Sequence, residues 1–396
     1  MPKITLFIFL LLLIPDLYIY LVYIARNVKK RWIGALYWLP SIILLIAYTY
    51  YMYGAGINPM SIHTQAIGRL AVGLILFSLP KIAFMVCSLI GLLFRSSSKK
   101  TFYIFTSLGV VIGLICFGGI LYGSTIGIKR FQIKEVEYYS PNLPKAFDGY
   151  RITQISDIHI GSWKGKEKAL RKIIEQINAE KSDLIVFTGD LVNQRSSELN
   201  GFQDILSQLQ APDGVYSILG NHDYGSYYHW KNRKEQIENI DYLVRQEKAM
   251  GWKLLNNEHD ILHHKGDSIA LIGVENDGEP PFSHFANLKK AATGTQGLFR
   301  ILLSHNPTHW RREVLPDTDI ELMLAGHTHA MQLILFGHSP SSLFYPEWGG
   351  MYAARNQQSL YVNIGIGYVG LPFRFGAWPE ITVIKLKSTT DRQLSK

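Results

Sequence analysis

Residues 215–223 have the sequence VYSILGNHD, an apolar run that ends at a glycine and is followed at once by an amide, an imidazole and a carboxylate. Four other apolar runs in the same part of the chain also end in Asp, His or Asn side chains. These four runs lie at 152–156, 184–188, 301–304 and 320–325. Short apolar runs predict buried strands, and the amphipathic helical pattern of residues 166–180 indicates an α/β arrangement.

The polar side chains at the ends of these runs are the candidate functional residues. Because the loops that leave neighbouring strands of an α/β sheet converge at one edge, we expect these residues to meet in one pocket. Glycines at 189, 220 and 326 fit sharp turns at three of the strand ends. The candidate ligands are two aspartates, one asparagine and four histidines: Asp157, His159, Asp190, Asn221, His305, His327 and His329.

This set of side chains predicts a metal site. Carboxylate oxygens and neutral imidazole nitrogens suit divalent Mn, Fe or Zn, among which the residues do not choose. Seven ligands are too many for one ion and suit two divalent metal ions that share a carboxylate. Two ions about 3.5–4 Å apart can hold a bridging hydroxide as nucleophile for displacement at phosphorus. We therefore expect hydrolysis of phosphate ester or pyrophosphate bonds, with the bond type left open.

Each of these residues alone would carry little weight. An Asp or Asn after a strand is often a turn former or a helix cap, and a single histidine is usually packed or on the surface. Because five such motifs occur together in this order, we favour a shared functional site over these ordinary roles. Seven further histidines are interpreted as ordinary packed or surface residues: His229, His259, His263, His264, His284, His309 and His338.

The order Asp-x-His, Gly-Asp, Gly-Asn-His-Asp, His and Gly-His-x-His resembles the calcineurin-like metallophosphoesterase superfamily over residues of about 150–386. In overall architecture the chain resembles the transmembrane metallophosphoesterases of bacteria and animals. The resemblance implies a four-layer α/β/β/α sandwich with a dinuclear metal site.

The resemblance also implies a role for each motif residue. Asp190 would bridge two ions. One ion would be held by Asp157, His159 and His329, and the other by Asn221, His305 and His327. His222 would lie near the phosphate as a catalytic residue that protonates the leaving oxygen or stabilises developing charge, and Asp223 would orient the imidazole of His222.

The first third of the chain has a different character. Residues 1–130 contain 12 Lys and Arg but a single acidic residue, Asp16. Four apolar stretches are long enough for a transmembrane helix, which needs about 20 residues. They lie at about 4–25, 34–53, 70–94 and 102–127. We therefore predict a transmembrane domain over 1–130 and a metallophosphoesterase domain over 131–396.

Charge in and around these stretches gives two further expectations. Asp16 and Lys81 fall inside predicted spans, where we favour a pair buried in the helix bundle over an ion pathway. Basic residues follow the first and third stretches, so the positive-inside rule makes those loops cytoplasmic. The catalytic domain of this multi-pass protein of the plasma (inner) membrane is then expected to be extracytoplasmic.

Composition excludes some classes of protein and leaves others open. Residues 131–396 contain 28 basic and 30 acidic residues, which argues against nucleic acid as a partner. The two cysteines, Cys87 and Cys116, lie in apolar runs and exclude a disulfide framework. The expected partners are the lipid bilayer and a phosphorylated substrate, for which a lipid-linked molecule is one candidate. The oligomeric state stays open.

Two regions rich in aromatic residues are candidates to cover the metals and contact substrate: 224–242, and 343–348 together with 368–378. Two alternatives to a hydrolase remain. One is a catalytically silent sensor or scaffold with the phosphoesterase fold, against which the intact ligand set argues. The other is a transporter with a regulatory domain, against which the lack of an internal repeat argues.

Overall fold

The computed structural model describes residues 2–54, 64–280, 282–354 and 357–389. The chain forms two compact units, which divide after Ile128. We expected the boundary at 130/131. The structure also groups a later segment, Gly370–Phe375, with the helical first unit, which the sequence did not suggest. The final residues of the expected second domain, 390–396, lie outside the described part of the chain.

The first unit contains four helices that are long and apolar enough to cross a membrane, as the sequence predicted. Helices α1 and α2 each continue into a π-helical turn, at Tyr20–Ile24 and Tyr50–Gly54 respectively. The four helices are α1 (Pro2–Ile19), α2 (Arg31–Thr49), α3 (Thr64–Leu93) and α4 (Lys99–Thr125).

Asp16 and Lys81 form an ion pair inside this helical unit. Lys81 Nζ lies 2.5 Å from Asp16 Oδ1, and Asp16 is fully buried. The Tyr37 hydroxyl donates to the same carboxylate oxygen at 2.9 Å, while the Ser41 hydroxyl donates to the other oxygen. A buried charge is tolerated when it is paired and hydrogen-bonded, so the expectation of a pair within the bundle is confirmed.

The segment Gly370–Phe375 packs within the helical unit through α4. The main-chain N–H of Arg374 donates to the carbonyl of Gly123 at 3.1 Å. A Cβ atom at Gly123 would collide with the ring of Phe373, so the segment needs a glycine at this point of the helix.

The second unit contains two six-stranded sheets, and the first has the strand order β1-β12-β2-β3-β4-β5. Strands β2 to β5 run parallel, whereas β12 is antiparallel to β2 and parallel to β1. The strands are β1 (Gln132–Ser140), β2 (Arg151–Ile155), β3 (Leu184–Phe187), β4 (Val215–Ser217), β5 (Lys253–Leu254) and β12 (Glu380–Ser388).

The second sheet has the strand order β10-β11-β9-β8-β7-β6. Its four inner strands are parallel, and both edge strands are antiparallel to their neighbours. The strands are β6 (Glu258–His264), β7 (Asp267–Gly273), β8 (Phe299–Leu303), β9 (Leu322–Ala325), β10 (Gly350–Ala353) and β11 (Ser359–Val362).

The two sheets pack face to face, and strand alternation places the core. In β8, Phe299, Ile301 and Leu303 join the cluster between the sheets, whereas Leu302 joins the cluster on the outer face. Helix α5 (Glu167–Ala179) covers the outer face of the first sheet with Leu170, Ile173, Ile174 and Ile177. Helix α6 (Arg233–Ala249) adds Leu243 to the same cluster. The α/β/β/α sandwich is confirmed.

Candidate metal centre

The seven predicted ligands come together at the carboxyl ends of five strands. Asp157 and His159 follow β2, Asp190 follows β3 and Asn221 follows β4. In the other sheet, His305 follows β8, and His327 and His329 follow β9. The residues form neighbouring groups whose ligand atoms lie within 4.8 Å of one another, and Asp190 belongs to two such groups. The convergence expected of parallel strands is therefore observed.

The first group consists of Asp157, His159 and His329. His329 Nε2 lies 3.2 Å from Asp157 Oδ1 and 3.0 Å from His159 Nε2. His159 Nε2 also lies 3.7 Å from Asp190 Oδ2. All of these atoms are buried. Although His329 Nε2 is near, Asp157 Oδ1 accepts no well-aligned hydrogen bond from the described residues. A carboxylate oxygen and two imidazole nitrogens thus face one small space.

The second group consists of Asn221, His305 and His327. Asn221 Oδ1 lies 3.2 Å from His305 Nε2 and 2.8 Å from His327 Nδ1. His305 Nε2 lies 3.2 Å from Asp190 Oδ2. The same oxygen of Asp190 therefore faces both groups of ligands.

Partners outside the two groups orient the ligand atoms. Nδ1 of His159 lies 3.2 Å from the carbonyl of Val192, and Nδ1 of His305 lies 2.7 Å from the carbonyl of Thr188. Since a carbonyl only accepts, each Nδ1 must carry a proton, which leaves each Nε2 as the nitrogen available to a metal ion in the pocket. Asn221 Nδ2 donates to the Tyr227 hydroxyl at 2.7 Å, which turns the Asn221 oxygen inward. This donor set fits divalent cations.

The electrostatics of the pocket suit cation binding. Burial opposes ionisation of Asp190, but the charge of His305 outweighs it and holds the pKa of Asp190 well below its usual value. Burial alone would lower the pKa of His305, but the Asp190 carboxylate raises it to about 9. Burial lowers the pKa of His159 and of His327 to about 3. The Asp190 carboxylate is thus charged and the imidazoles of His159 and His327 are neutral, whereas a cation would have to displace a proton from His305.

The backbone is strained at the ligands. Five of the seven residues have a left-handed φ, which is uncommon outside glycine and costs about 1–3 kcal/mol for each residue. The φ values are 52° at Asp157, 46° at His159, 63° at Asp190, 75° at His327 and 49° at His329. Strain of this kind persists only where the surrounding structure enforces it, and it clusters at functional sites.

The three glycines singled out in the sequence serve two different purposes. Gly189 has a φ of 91°, as expected for a sharp turn. Gly220 and Gly326 lie outside the left-handed region and instead permit close approach. A Cβ atom at Gly326 would lie 2.5 Å from Asp157 Oδ2, and one at Gly220 would collide with the Asp190 carboxylate.

The structure gives His222 and Asp223 partners other than each other. His222 Nδ1 lies 2.5 Å from the carbonyl of Asn193, to which it donates, and the main-chain N–H of His222 donates to Asp190 Oδ1 at 2.9 Å. The Asp223 carboxylate accepts backbone N–H groups, including those of Asp190 and Gly220, both at 2.8 Å. The expectation that Asp223 orients the His222 ring is therefore corrected. The chain turns sharply at this point, so adjacent side chains face different groups.

Aromatic side chains border the pocket. The ring of Tyr227 lies 4.3 Å from that of His222, and the Tyr345 hydroxyl lies 2.8 Å from His327 Nε2. Both tyrosines come from the aromatic stretches noted in the sequence. Phe282 also contacts His327, with ring centroids 4.9 Å apart, and was not anticipated. Phe282 lies in the loop after β7. The only indication in the sequence was that this loop leaves a strand of the sheet that also carries His305 and His327.

A second polar cluster fixes that loop. Asp277 is fully buried and pairs with both Arg312 and His284. His309 Nε2 lies 3.1 Å from Asp277 Oδ2 and 2.8 Å from Glu313 Oε2. Two histidines interpreted as ordinary residues, the buried His309 and the exposed His284, therefore belong to a polar network around the buried Asp277. Arg312 already supplies a positive partner for Asp277, so we interpret this cluster as structural. It holds in place the loop that carries Phe282.

Comparisons with known proteins cover both units. Residues 150–331 match the family model described as calcineurin-like phosphoesterase. Residues 2–128 match the model described as probable calcineurin-like phosphoesterase, transmembrane domain.

Two curated proteins illustrate the similarity. An uncharacterized metallophosphoesterase of Bacillus subtilis is 32% identical over 70% of this chain and 96% of its own length. A transmembrane protein with metallophosphoesterase domain from Danio rerio is 32% identical over 67% of this chain, but the match spans only 60% of that protein. Among solved structures, a dimetal phosphatase from Danio rerio aligns over 55% of this chain and 88% of its own, with 14% identity and a TM-score of 0.33.

Proposed function

Since this chain belongs to the calcineurin-like phosphoesterases and carries their transmembrane domain, we propose that it is a membrane-anchored phosphoesterase with two divalent metal ions. It hydrolyses phosphate ester or pyrophosphate bonds. The observation that carries the proposal is the position of Asp190, one of whose oxygens lies 3.2 Å from His305 Nε2 and 3.7 Å from His159 Nε2. A shared carboxylate between two ligand groups is what a two-metal site requires.

The ligands divide as the two groups suggest. One ion would be held by Asp157, His159 and His329, the other by Asn221, His305 and His327, and Asp190 would contribute to both. When bound, such ions supply an activated water and stabilise the charge that develops on phosphorus. Mn, Fe and Zn all fit these ligands.

His222 is the proposed proton donor to the leaving oxygen. Its Nδ1 is committed to the Asn193 carbonyl, so only Nε2 remains for chemistry in the pocket. A ring nitrogen of His222 lies within 4.8 Å of ligand atoms of His159 and Asp190. Asp223 acts as a positioning residue, because its carboxylate binds the backbone around Asp190 rather than the reacting groups.

The proposed substrate is a phosphate compound that reaches the enzyme at the membrane, and a lipid-linked phosphate is the leading candidate. The four membrane-crossing helices and the aromatic border formed by Tyr227, Phe282 and Tyr345 support it. The basic loops of the helical unit support an extracytoplasmic catalytic unit in the plasma (inner) membrane. An alkaline phosphatase fused after Lys396 should be active, whereas strong fluorescence of a green fluorescent reporter there would contradict this orientation.

Hydrolysis is tested with the purified full-length protein and bis-p-nitrophenyl phosphate in the presence of Mn²⁺. Asp190→Asn should abolish turnover, while Asp204→Asn, an exposed aspartate elsewhere in the same unit, should not. Absence of metal-dependent turnover with any phosphate ester would favour the sensor or scaffold. A membrane lipid extract incubated with wild type and with Asp190→Asn, compared by mass spectrometry, should identify species that only the active enzyme consumes.

A further inference from the structure

The chain between the metal-centre residues His329 and Tyr345 forms an apolar surface loop. Ile334 packs against a small buried cluster, but five other large apolar side chains of the loop are exposed. The exposed fractions are 45% for Met331, 45% for Leu335, 100% for Phe336, 80% for Leu343 and 68% for Phe344. Contiguous exposed apolar patches on a protein surface mark interaction sites.

The loop also lacks formal charge. Residues 330–346 contain no Asp, Glu, Lys or Arg. Average protein sequence contains about 25% of these residues, and surface loops are usually richer still in polar residues. A surface loop that contacted only water would be expected to contain several charged side chains.

The tip of the loop is a two-residue hairpin turn. Leu335 and His338 exchange N–H···O hydrogen bonds of 2.9 Å in both directions. The two residues between them, Phe336 and Gly337, have φ values of 51° and 80°. Turns of this type favour Asn, Asp or Gly at the first position. A phenylalanine here bears backbone strain and exposes its whole ring to water, and a partner surface would remove the second of these costs.

The same unit contains a turn of the same shape with the opposite chemistry. Lys265 and Gly266 connect β6 to β7 and have φ values of 47° and 96°. This turn places a charged side chain where the other places Phe336. The difference therefore lies in the side chain and not in the backbone.

The loop is held on a firm base. The Ser339 hydroxyl donates to the carbonyl of Ala330 at 2.6 Å. The side-chain oxygen of Gln332, which is buried, accepts the main-chain N–H of Val369 at 3.0 Å. The exposed apolar side chains, together with those of His338 and Ser342, therefore project from an ordered base.

We propose that this loop inserts Phe336, Leu343 and Phe344 into a lipid surface and so brings the metal centre to the phosphate groups of amphiphilic molecules. A bilayer is the expected partner, because only six residues separate the end of α4 at Thr125 from the start of β1 at Gln132, a span of at most about 20 Å when extended, so the second unit is tethered to a helix long and apolar enough to cross a membrane. The catalytic consequence rests on the proposed phosphoesterase function, whereas the insertion itself does not.

Insertion is measured on the full-length protein in proteoliposomes of phosphatidylcholine and phosphatidylglycerol. With Cys87 and Cys116 replaced by serine, a single cysteine is introduced as Phe336→Cys and labelled with an environment-sensitive fluorophore. Its emission should shift to the blue and be quenched by lipids that carry spin labels on their acyl chains. The matched control, Lys265→Cys, should show neither effect.

A second variant, Phe336→Lys, copies the charged turn and connects insertion to catalysis. It should leave hydrolysis of bis-p-nitrophenyl phosphate unchanged and reduce turnover of p-nitrophenyl hexadecyl phosphate about tenfold, the effect of losing one buried aromatic anchor.

Several outcomes would overturn the proposal. Equal emission at positions 336 and 265 excludes insertion. A blue shift at 336 without quenching by the lipids indicates a second copy of the chain as the partner instead. Equal loss on both substrates shows that Phe336 supports the fold and not lipid access. Lipid quenching without hydrolysis of either substrate would instead refute the phosphoesterase function and leave the insertion standing.

Discussion

The carboxylate of Asp223 holds the backbone of Asp190, whose main-chain N–H it accepts at 2.8 Å. It also accepts the N–H groups of Leu191 at 2.9 Å, Val192 at 3.1 Å and Gly220 at 2.8 Å. Burial, together with the nearby charge of Asp190, raises the pKa of Asp223 to about 7. One buried carboxyl group thus fixes two of the loops that deliver ligands, including the left-handed residue at the centre of the site.

Asp223→Asn should weaken metal binding without unfolding the protein. The amide keeps a single acceptor oxygen, and its NH₂ group would face backbone donors. Loss of an outer partner of this kind typically reduces metal affinity about 10–100-fold. The measurement is the Mn²⁺ concentration at half-maximal hydrolysis of bis-p-nitrophenyl phosphate. An unchanged Mn²⁺ requirement would show that the loops hold their shape without Asp223.

Tyr227→Phe should act on the metal centre through Asn221. The Tyr227 hydroxyl accepts from Asn221 Nδ2 at 2.7 Å and so keeps the amide oxygen toward His305 and His327. Without it the amide is free to rotate, and we expect about tenfold weaker Mn²⁺ activation. Tyr228→Phe is the control, because the hydroxyl of Tyr228 contacts Arg195 instead. Equal effects of the two substitutions would contradict the orienting role.

Glu247→Gln should change how stability depends on pH. Burial raises the pKa of Glu247 to about 8, with the Ser217 hydroxyl as a hydrogen-bond donor at 2.5 Å. Since the pKa is higher in the folded state than in the unfolded chain, stability is greatest below about pH 4 and declines as the pH rises toward 8. Glutamine cannot ionise and avoids this loss.

The difference in the free energy of unfolding between Glu247→Gln and wild type should be small at pH 5. It should grow to the order of 5 kcal/mol, as an upper bound, at pH 9. Thermal unfolding of the purified full-length protein across this range is the measurement. Glu238→Gln, on an exposed face of the same helix, should show no such trend. A constant difference between pH 5 and 9 would mean that Glu247 is already ionised in the folded protein.

Asp16→Asn should destabilise the helical unit because it leaves Lys81 charged and without its carboxylate partner. Breaking a buried pair costs about 3–5 kcal/mol, an upper range here since Lys81 is partly exposed. The double variant Asp16→Asn/Lys81→Met should recover much of the loss. Both should retain activity on the soluble diester. A double variant less stable than the single one would contradict this view of the pair.

Chelation should lower the melting temperature of wild type. Ligands that bind only the folded state stabilise it by about 2.7 kcal/mol at 100 times their dissociation constant. Asp190→Asn, with the shared ligand altered, should lose most of this shift. Because the readout is thermal unfolding, it distinguishes failure to bind metal from failure to catalyse. An identical melting temperature with and without chelator in wild type would argue against a metal centre.

The motif residues were predictable because each follows an apolar run directly, so local sequence specifies both the strand and its ligand. Asp157, Asp190 and Asn221 were found in this way. Phe282 was not, because its contact with His327 depends on a loop fixed by distant ion pairs of Asp277. The role of Asp223 was missed for a related reason, since its partners are backbone amides of another loop.

The strand order of the first sheet limits when that sheet can form during synthesis. β12, near the end of the chain, lies between β1 and β2 in its sheet. During synthesis the membrane helices therefore leave the ribosome long before β12, which pairs with both β1 and β2, has been made. The first sheet, whose strand ends carry Asp157, Asp190 and Asn221, cannot be completed until β12 has been synthesised, well after the membrane helices.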